Sequence, residues 1–151
     1  MRKLPRQAQI TKHNCIQGWS GVAEWAGVLL KDVLHACEVL PEGKYLVFTS
    51  YQYGKQSVKP GLTEAQGHMY YEVIDLELAK HLETILAYEM NGRPLPLEHG
   101  APLRLRVETL LGYKMVKYLR SIELVEEFST VGQGQGGFRE DFQYYGRGAE
   151  M

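Results

Sequence analysis

The order of apolar and polar positions along the chain predicts a domain that is richer in sheet than in helix. Residues 44–53, KYLVFTSYQY, are β-branched and aromatic, which is typical of a buried strand. Residues 102–108 alternate leucine and valine with charged residues, and this period of two predicts a half-buried strand with a basic outer face. Another short strand is predicted at 121–128. Asn91 and Gly92 favour a hairpin turn, because both residues tolerate positive φ.

Two short helices complete the predicted pattern. Apolar residues near helical spacing predict a helix from about Leu30 to Glu38, and they place Cys37 on its core face. Asp75 is a suitable N-cap for a second helix at 76–81. Because strands and helices alternate without repeated βαβ units, the predicted fold class is α+β, with mixed β-sheets and short helices in a single domain.

Two regions lack this periodicity. Residues 54–68 are polar with glycine and proline, which predicts a long surface loop. Residues 129–151 are rich in glycine and aromatic residues, and we expect this tail either to wrap over the domain or to be partly disordered. The predicted organisation is therefore a domain at 1–128 followed by a C-terminal tail at 129–151.

Composition and charge argue against several classes of protein. The chain has 151 residues, of which 44% are hydrophobic, and this suits one globular domain. Its net charge of −1 creates no overall field that would attract nucleic acid, and it has no run of about 18 apolar residues that would predict a membrane span. The basic N-terminal segment lacks the apolar region of a secretory signal, so we expect a cytoplasmic protein, or one whose targeting segment is not part of this sequence.

Cys15 is the first candidate for chemistry. Two cysteines do not make a disulfide framework, and the CxxC, HExxH, GxGxxG and GxxxxGK patterns are absent from the sequence. Cys15 lies in the polar run KHNCIQGWS. A free cysteine is commonly a buried small hydrophobe, whereas a loop cysteine near basic residues gains thiolate character and becomes a soft ligand for a transition metal. Local sequence leaves both interpretations open.

A basic segment from 99 to 120 is the second candidate. Lys114 and Lys117 are three apart and follow Gly112, so on a helical turn both ammonium groups would lie on one side, where backbone N–H groups can also approach an anion. Arg104 adds a forked donor that suits phosphate. The alternative is a solvated basic face. His99, beside a glycine, is either a ligand-binding residue or an ordinary loop histidine.

Four segments together resemble a known family. They are NCIQGWSGVAEWAGVLLKDVL (14–34), YLVFTSY (45–51), LETILAYEMNGRPLPLEHGAPLRLRV (82–107) and GYKMVKYLRSIEL (112–124). In this order and spacing they resemble the molybdopterin-binding oxidoreductase domain of the sulfite oxidase family, and most of all the bacterial branch that includes the catalytic subunit of the periplasmic protein-methionine-sulfoxide reductase. The resemblance implies the sulfite-oxidase-type molybdopterin-binding fold.

The resemblance also implies roles for individual residues. Cys15 would give its thiolate to molybdenum, and it would form the catalytic group together with His99 and Arg104. The residues expected to bind the molybdopterin cofactor, the last three of them around its terminal phosphate, are Ser50, His99, Arg104, Lys114, Met115 and Lys117.

The implied activity is oxygen-atom transfer on a small sulfur substrate such as sulfite or a sulfoxide, with electrons passing to a partner that is often a haem protein. Exported relatives make a periplasmic location consistent with the resemblance. Only 14 residues precede Cys15, whereas family domains usually extend further upstream. The alternative is therefore a non-catalytic or truncated binding domain of the same fold that holds no cofactor.

Overall fold

Two antiparallel β-sheets and three short α-helices form most of the part of the chain that the computed structural model describes, residues 3–53 and 68–142. The strands, in chain order, are β1 (Arg6–Asn14), β2 (Ser20–Leu29), β3 (Tyr45–Tyr53), β4 (Met69–Asp75), β5 (Thr84–Met90), β6 (Arg93–Pro94), β7 (Arg104–Val107) and β8 (Leu119–Val125). The helices are α1 (Leu30–Ala36), α2 (Leu76–Lys80) and α3 (Phe138–Phe142). The predicted α+β class with more sheet than helix is confirmed.

Strand pairing divides the strands into a five-stranded and a three-stranded sheet. In the first sheet β1 pairs with β2, β2 pairs with β5, and β5 pairs with both β6 and β7. In the second sheet β3 lies between β4 and β8. The main core contains buried apolar residues from both sheets, among them Val28, Leu86 and Leu105 of the first sheet and Leu46 and Phe48 of the second. Burial of these side chains supplies the main driving force for bringing the two sheets together.

Several local predictions are confirmed. The strand predicted at 44–53 is β3, and the hairpin turn between β5 and β6 has Asn91 at φ +51° and Gly92 at φ +70°. The Asp75 side chain accepts a hydrogen bond of 2.8 Å from the backbone N–H of Leu78, so it caps α2 as expected. None of the described helices is both long and apolar enough to cross a membrane.

The sequence pattern does not predict β1, β2 or β4. Strand β1 lies at the edge of its sheet and is mostly exposed, so its sequence, RQAQITKHN, lacks a strong apolar alternation. The apolar end of β2 runs directly into α1, and its residues therefore resemble a helical pattern. The prediction that Cys37 belongs to the core is wrong. Helix α1 ends at Ala36, and Cys37 is exposed beyond it.

The predicted basic outer face of the 102–108 strand is also wrong. In β7 the side chains of Arg104 and Arg106 are as buried as those of Leu105 and Val107. The two guanidinium groups lie 4.8 Å and 4.4 Å from the ring centroid of Trp25 on β2, which covers them. Both faces of β7 are therefore covered by protein. The leucine and valine side chains face an apolar environment, and the arginine side chains face a polar one.

The tail packs against the second sheet as far as the structure describes it. In α3, Phe138 and Phe142 are buried against Val47, Tyr71 and Val73. This agrees with the expectation that the tail wraps over the domain. The predicted loop at 54–68 lies outside the described residues except for its last position, as does the tail after residue 142.

Candidate functional site

A cavity of about 550 Å³, called the main cavity below, brings together residues that are far apart in the sequence. Five of the seven predicted site residues line it, namely Ser50, His99, Arg104, Met115 and Lys117. They come from β3, from the start of β7 and from the segments that flank β7. The β1–β2 hairpin contributes His13, Trp19 and Trp25 to the same wall, and α3 contributes Arg139.

Hydrogen bonds to backbone hold the predicted residues in this arrangement. Ser50 Oγ donates to the carbonyl oxygen of Lys117 at 2.7 Å, which ties β3 to the segment that precedes β8. Lys117 Nζ donates to the carbonyl oxygen of Glu98 at 2.9 Å, and Arg104 donates to that of His99 at 2.9 Å. Carbonyl oxygens of the turn at 97–99 therefore accept hydrogen bonds from two cationic side chains, and these bonds fix the turn beside the cavity.

Arg104 and Trp25 each leave a buried donor without a partner. Arg104 Nε and Trp25 Nε1 are both buried, and neither makes a hydrogen bond within the described part of the chain. Such buried donors are costly unless a partner satisfies them. Burial, followed by the nearby charge of Arg106, lowers the pKa of Arg104 to about 9. An anionic ligand in the cavity would offset both costs, so the site suits a polar, negatively charged molecule.

Sequence reasoning missed His13 and Arg106. Arg106 makes two short hydrogen bonds to the Glu108 carboxylate, at 2.8 Å and 2.6 Å, and a third to His13 Nδ1 at 2.9 Å. A guanidinium has no acceptor, so Nδ1 must accept and the imidazole proton must lie on Nε2. Burial, together with Arg106, lowers the pKa of His13 to about 4. His13 is therefore a neutral histidine in the cavity wall.

The signal for this missed network lies in β1. Gln9 and Thr11 alternate with His13 along that strand, and all three contact the Arg106–Glu108 pair. A polar alternation on an edge strand reads as ordinary solvent exposure. In β1 the same pattern indicates contact with a buried arginine, which the sequence of the strand alone does not reveal.

Cys15 lies in the turn of the β1–β2 hairpin. Its backbone N–H donates to the carbonyl oxygen of Trp19 at 2.9 Å, and the side chain is partly exposed. Cys15 is thus not a core residue. It does not itself line the main cavity, although His13 and Trp19, on either side of it in the hairpin, do so with their rings 5.4 Å apart.

Lys114 has a different environment from the one expected. Its Nζ donates to Glu72 at 2.6 Å, to Glu140 at 2.8 Å and to the carbonyl oxygen of Gly136 at 3.0 Å. Lys114, Glu72 and Glu140 are all buried, and we call them the carboxylate cluster. The cluster engages the ammonium group, so the predicted common face of Lys114 and Lys117 is wrong. Only Lys117 lines the main cavity.

The charges that line the main cavity have one sign. Arg104, Lys117 and Arg139 carry positive charge, and none of the described lining residues is a carboxylate. Within the same described part of the chain, no group of three or more His, Cys, Asp or Glu side chains is arranged to hold a metal ion. The chemistry of this wall is therefore that of an anion-binding site.

Comparison with known proteins identifies the family. The model of the oxidoreductase molybdopterin binding domain matches residues 1–131. The chain belongs to this family. YedZ1 of Azospira oryzae is 30% identical over 144 residues, which cover 95% of this chain and 47% of that protein. The protein-methionine-sulfoxide reductase catalytic subunit MsrP of Xanthomonas axonopodis pv. citri is 34% identical over 128 residues, which cover 84% of this chain and 39% of the relative.

A solved structure supports the fold. The sulfane dehydrogenase SoxCD from Paracoccus pantotrophus superposes with a TM-score of 0.65 at 23% identity, over 85% of this chain and 35% of that one. The resemblance stated from the sequence and the predicted fold type are both confirmed, and the family is one of oxidoreductases. The chain spans less than half the length of each of these relatives.

Proposed function

We propose that this chain is a molybdopterin-dependent oxidoreductase domain that transfers an oxygen atom to or from a small sulfur compound. The main cavity is the observation that carries the proposal. Five residues expected at the cofactor line it, and the charged side chains among the lining residues that the structure describes are cationic. Relatives named for methionine-sulfoxide reduction and sulfane dehydrogenation support a sulfur substrate of the sulfite or sulfoxide type.

The residues present fit an anionic pterin cofactor. Arg104 and Lys117 would bind and orient it through charge-assisted hydrogen bonds, and Ser50 and Met115 would shape the wall between them. The unsatisfied donors of Arg104 and Trp25 are suited to its polar edges. When bound, the cofactor supplies two-electron oxygen-atom transfer at molybdenum, for which the Cys15 thiolate would be the protein ligand.

The chain itself would then bind and orient the cofactor and hold one proton at a defined atom. His13 holds its proton on Nε2, because Arg106 occupies Nδ1. It therefore offers a neutral donor to the cavity without adding charge. Trp25, buried against the two guanidinium groups, would exclude water from that side of the wall.

A redox partner is part of this proposal. Trp19, Val22 and Tyr53 line the main cavity and are at least half exposed, which gives its rim an apolar surface. We propose that an electron-transfer protein, of the haem class, docks at this rim. Electrons would then travel a short distance to the cofactor.

The test is metal and pterin analysis of protein made in a host that synthesises the cofactor. Wild type is compared with Cys15→Ala and with Cys37→Ala, whose side chain is exposed and does not line the main cavity. We expect nearly one molybdenum per chain in wild type and Cys37→Ala, with loss of metal or a changed absorption spectrum only in Cys15→Ala. Equal metal and spectra in all three would refute the role of Cys15. Absence of metal and pterin from all three would favour a cofactor-free binding domain.

A further inference from the structure

The C-terminal helix α3 is firmly held against the second sheet. Phe138 and Phe142 are buried in an apolar cluster, and Glu140 accepts from Lys114 at 2.8 Å. Asp141 accepts from the hydroxyl of Tyr71 and from the backbone N–H of Gln133 at 2.9 Å. Apolar contacts and polar contacts both fix α3, so its remaining side chain has a defined direction.

That remaining side chain is Arg139. It is the one residue of α3 that is not buried, and it lines the main cavity. Arg139 follows residue 131, where the match to the family model ends. Arg139 therefore lies outside the matched residues, and the sequence around it predicts only a tail.

Two tyrosines hold the guanidinium at the cavity wall. Its central carbon lies 6.0 Å from the ring centroid of Tyr113, and both Tyr113 and Tyr70 line the cavity. The Tyr70 hydroxyl donates to the carbonyl oxygen of Tyr113 at 2.6 Å, which fixes the two rings relative to each other. Arg139 also lies close enough to Tyr70 to act against the rise that burial causes in the pKa of that hydroxyl.

Arg139 reaches the cavity from a different part of the chain than the other two cations of the wall. Arg104 gives donors to the carbonyl oxygens of His99 and Met115, and Lys117 gives one to that of Glu98. These bonds go to the segment that forms the wall itself. Arg139 belongs to a separate element, α3, and its charge has the same sign as the charges of Arg104 and Lys117 at the cavity.

We propose that Arg139 is a ligand-binding residue of the main cavity, where its forked guanidinium contacts a phosphate oxygen of the bound molecule. The tail thus contributes a cationic side chain to a binding site whose other cations come from the rest of the domain. Arginine suits this role because its planar fork matches the geometry of a phosphate. The identification of that phosphate with the cofactor's rests on the proposed function, but the anion site itself does not.

The experiment compares Arg139→Gln, Arg139→Lys and the control Arg120→Gln, which removes the same charge from an exposed side chain outside the cavity. Inorganic phosphate is titrated calorimetrically into cofactor-free protein, with chloride at the same ionic strength as the reference. Pterin content is measured separately on protein from a cofactor-producing host, after washing at low and at high salt.

We expect Arg139→Gln to bind phosphate about tenfold more weakly, since a hydrogen bond to a charged group contributes on this scale. Arg139→Lys should lie between Arg139→Gln and wild type, because the charge remains but the fork is lost. Arg139→Gln should also lose pterin at high salt, and Arg120→Gln should behave as wild type. Thermal unfolding followed by circular dichroism verifies that all variants remain folded.

Three outcomes separate the two proposals. Loss of both phosphate affinity and pterin in Arg139→Gln supports the site and its ligand. Weakened phosphate binding in Arg139→Gln, with no pterin in any protein including wild type, supports the anion site and contradicts the proposed function. Phosphate affinity and pterin content equal to those of wild type in Arg139→Gln would overturn the role of Arg139 and leave the proposed function standing.

Discussion

Lys114 and Lys117 are three residues apart in one short segment, yet they belong to two different regions of the molecule. Lys114 is buried in the carboxylate cluster, where Glu72 and Glu140 both contact its ammonium group. Lys117 lines the main cavity, where its ammonium contacts a backbone carbonyl and none of the lining residues that the structure describes is a carboxylate. One lysine stabilises the fold and the other is available to a ligand.

The difference shows that the partners of a basic residue decide its role. The pKa of Lys114 is raised, because its two carboxylates outweigh the effect of burial, whereas burial and the charge of Arg104 lower the pKa of Lys117. A lysine with satisfied partners holds the C-terminal tail in place. The charged form of Lys117 is disfavoured by burial and by Arg104, so an anionic ligand beside it would stabilise that charge.

The largest expected effect on stability comes from replacing Lys114, and replacing Lys117 in the same way provides the comparison. Lys114→Met leaves the two buried acidic side chains of the carboxylate cluster without their cation, and we expect the free energy of unfolding to fall by about 3–5 kcal/mol. Lys117→Met makes the same chemical change in the main cavity, and there we expect a loss of about 1 kcal/mol or less. Urea unfolding followed by circular dichroism measures both. Equal losses for the two variants would contradict the assignment of the lysines to different regions.

Gly112 tests how closely the wall of the main cavity is packed. A Cβ at this position would come within 2.2 Å of the His13 ring, so Gly112→Ala must displace that ring. We expect a loss of about 1–3 kcal/mol, as for other overpacked sites. A change in the ¹⁵N NMR signals of the His13 ring should accompany it, because the bond to Arg106 is disturbed. Gly21 also lines the cavity but has open space where a Cβ would lie, so Gly21→Ala is the control and should cost little.

The carboxylate cluster should also make stability depend on pH. Burial and the charge of Glu140 raise the pKa of Glu72 from its ordinary value near 4.5 to about 8, in spite of Lys114, because one ammonium cannot neutralise two carboxylates. Between these values the folded state holds a proton that the unfolded state has released. The free energy of unfolding should therefore fall as pH rises from about 5 to 8, by at most about 1.4 kcal/mol per pH unit.

The control for this pH dependence is Glu72→Gln, which removes the titrating group and keeps its shape. His13 shifts stability in the opposite direction below pH 6.5, since its pKa is lowered, but this contribution is present in both proteins and cancels in their difference. The advantage of wild type over Glu72→Gln should shrink as pH rises. A difference that stays constant from pH 5 to 8 would show that Glu72 does not hold a proton there.

The smallest change in stability should accompany a clear change in cofactor content. Lys117→Met is expected to stay within about 1 kcal/mol of wild type in unfolding and to retain about tenfold less pterin after a high-salt wash. Lys44→Met, which removes an exposed lysine with only a surface ion pair, should lose neither. If Lys117→Met keeps its pterin, the cation does not contribute to binding the cofactor.

The sequence predicts the cavity residues better than it predicts their surroundings. Ser50, His99, Arg104, Met115 and Lys117 could be named because the order of four segments carries a family resemblance, and the structure brings all five to one cavity. The neighbours of Lys114 could not be named from local spacing. Its carboxylates are 42 and 26 residues away in the sequence and reach it through β4 and α3.

Two other differences between the predicted and the observed structure concern which side chains are buried. The alternation in β7 correctly indicates a strand, but the pattern of one strand does not show that Trp25 of β2 covers its charged face. Cys37 was expected in the core because of helical spacing, yet the helix ends one residue before it. In the first case the deciding contact comes from another strand, and in the second the helix ends before the spacing can place Cys37 on its core face.

The central claim is that the main cavity holds molybdopterin, with Cys15 as the protein ligand to the metal. The most direct measurement is anomalous X-ray scattering at the molybdenum edge, on crystals of protein made in a cofactor-producing host. The account predicts one strong peak beside the main cavity, at bonding distance from Cys15 Sγ. A peak elsewhere in the molecule, or an ordered pterin in the cavity whose metal has no contact with Cys15, would contradict it.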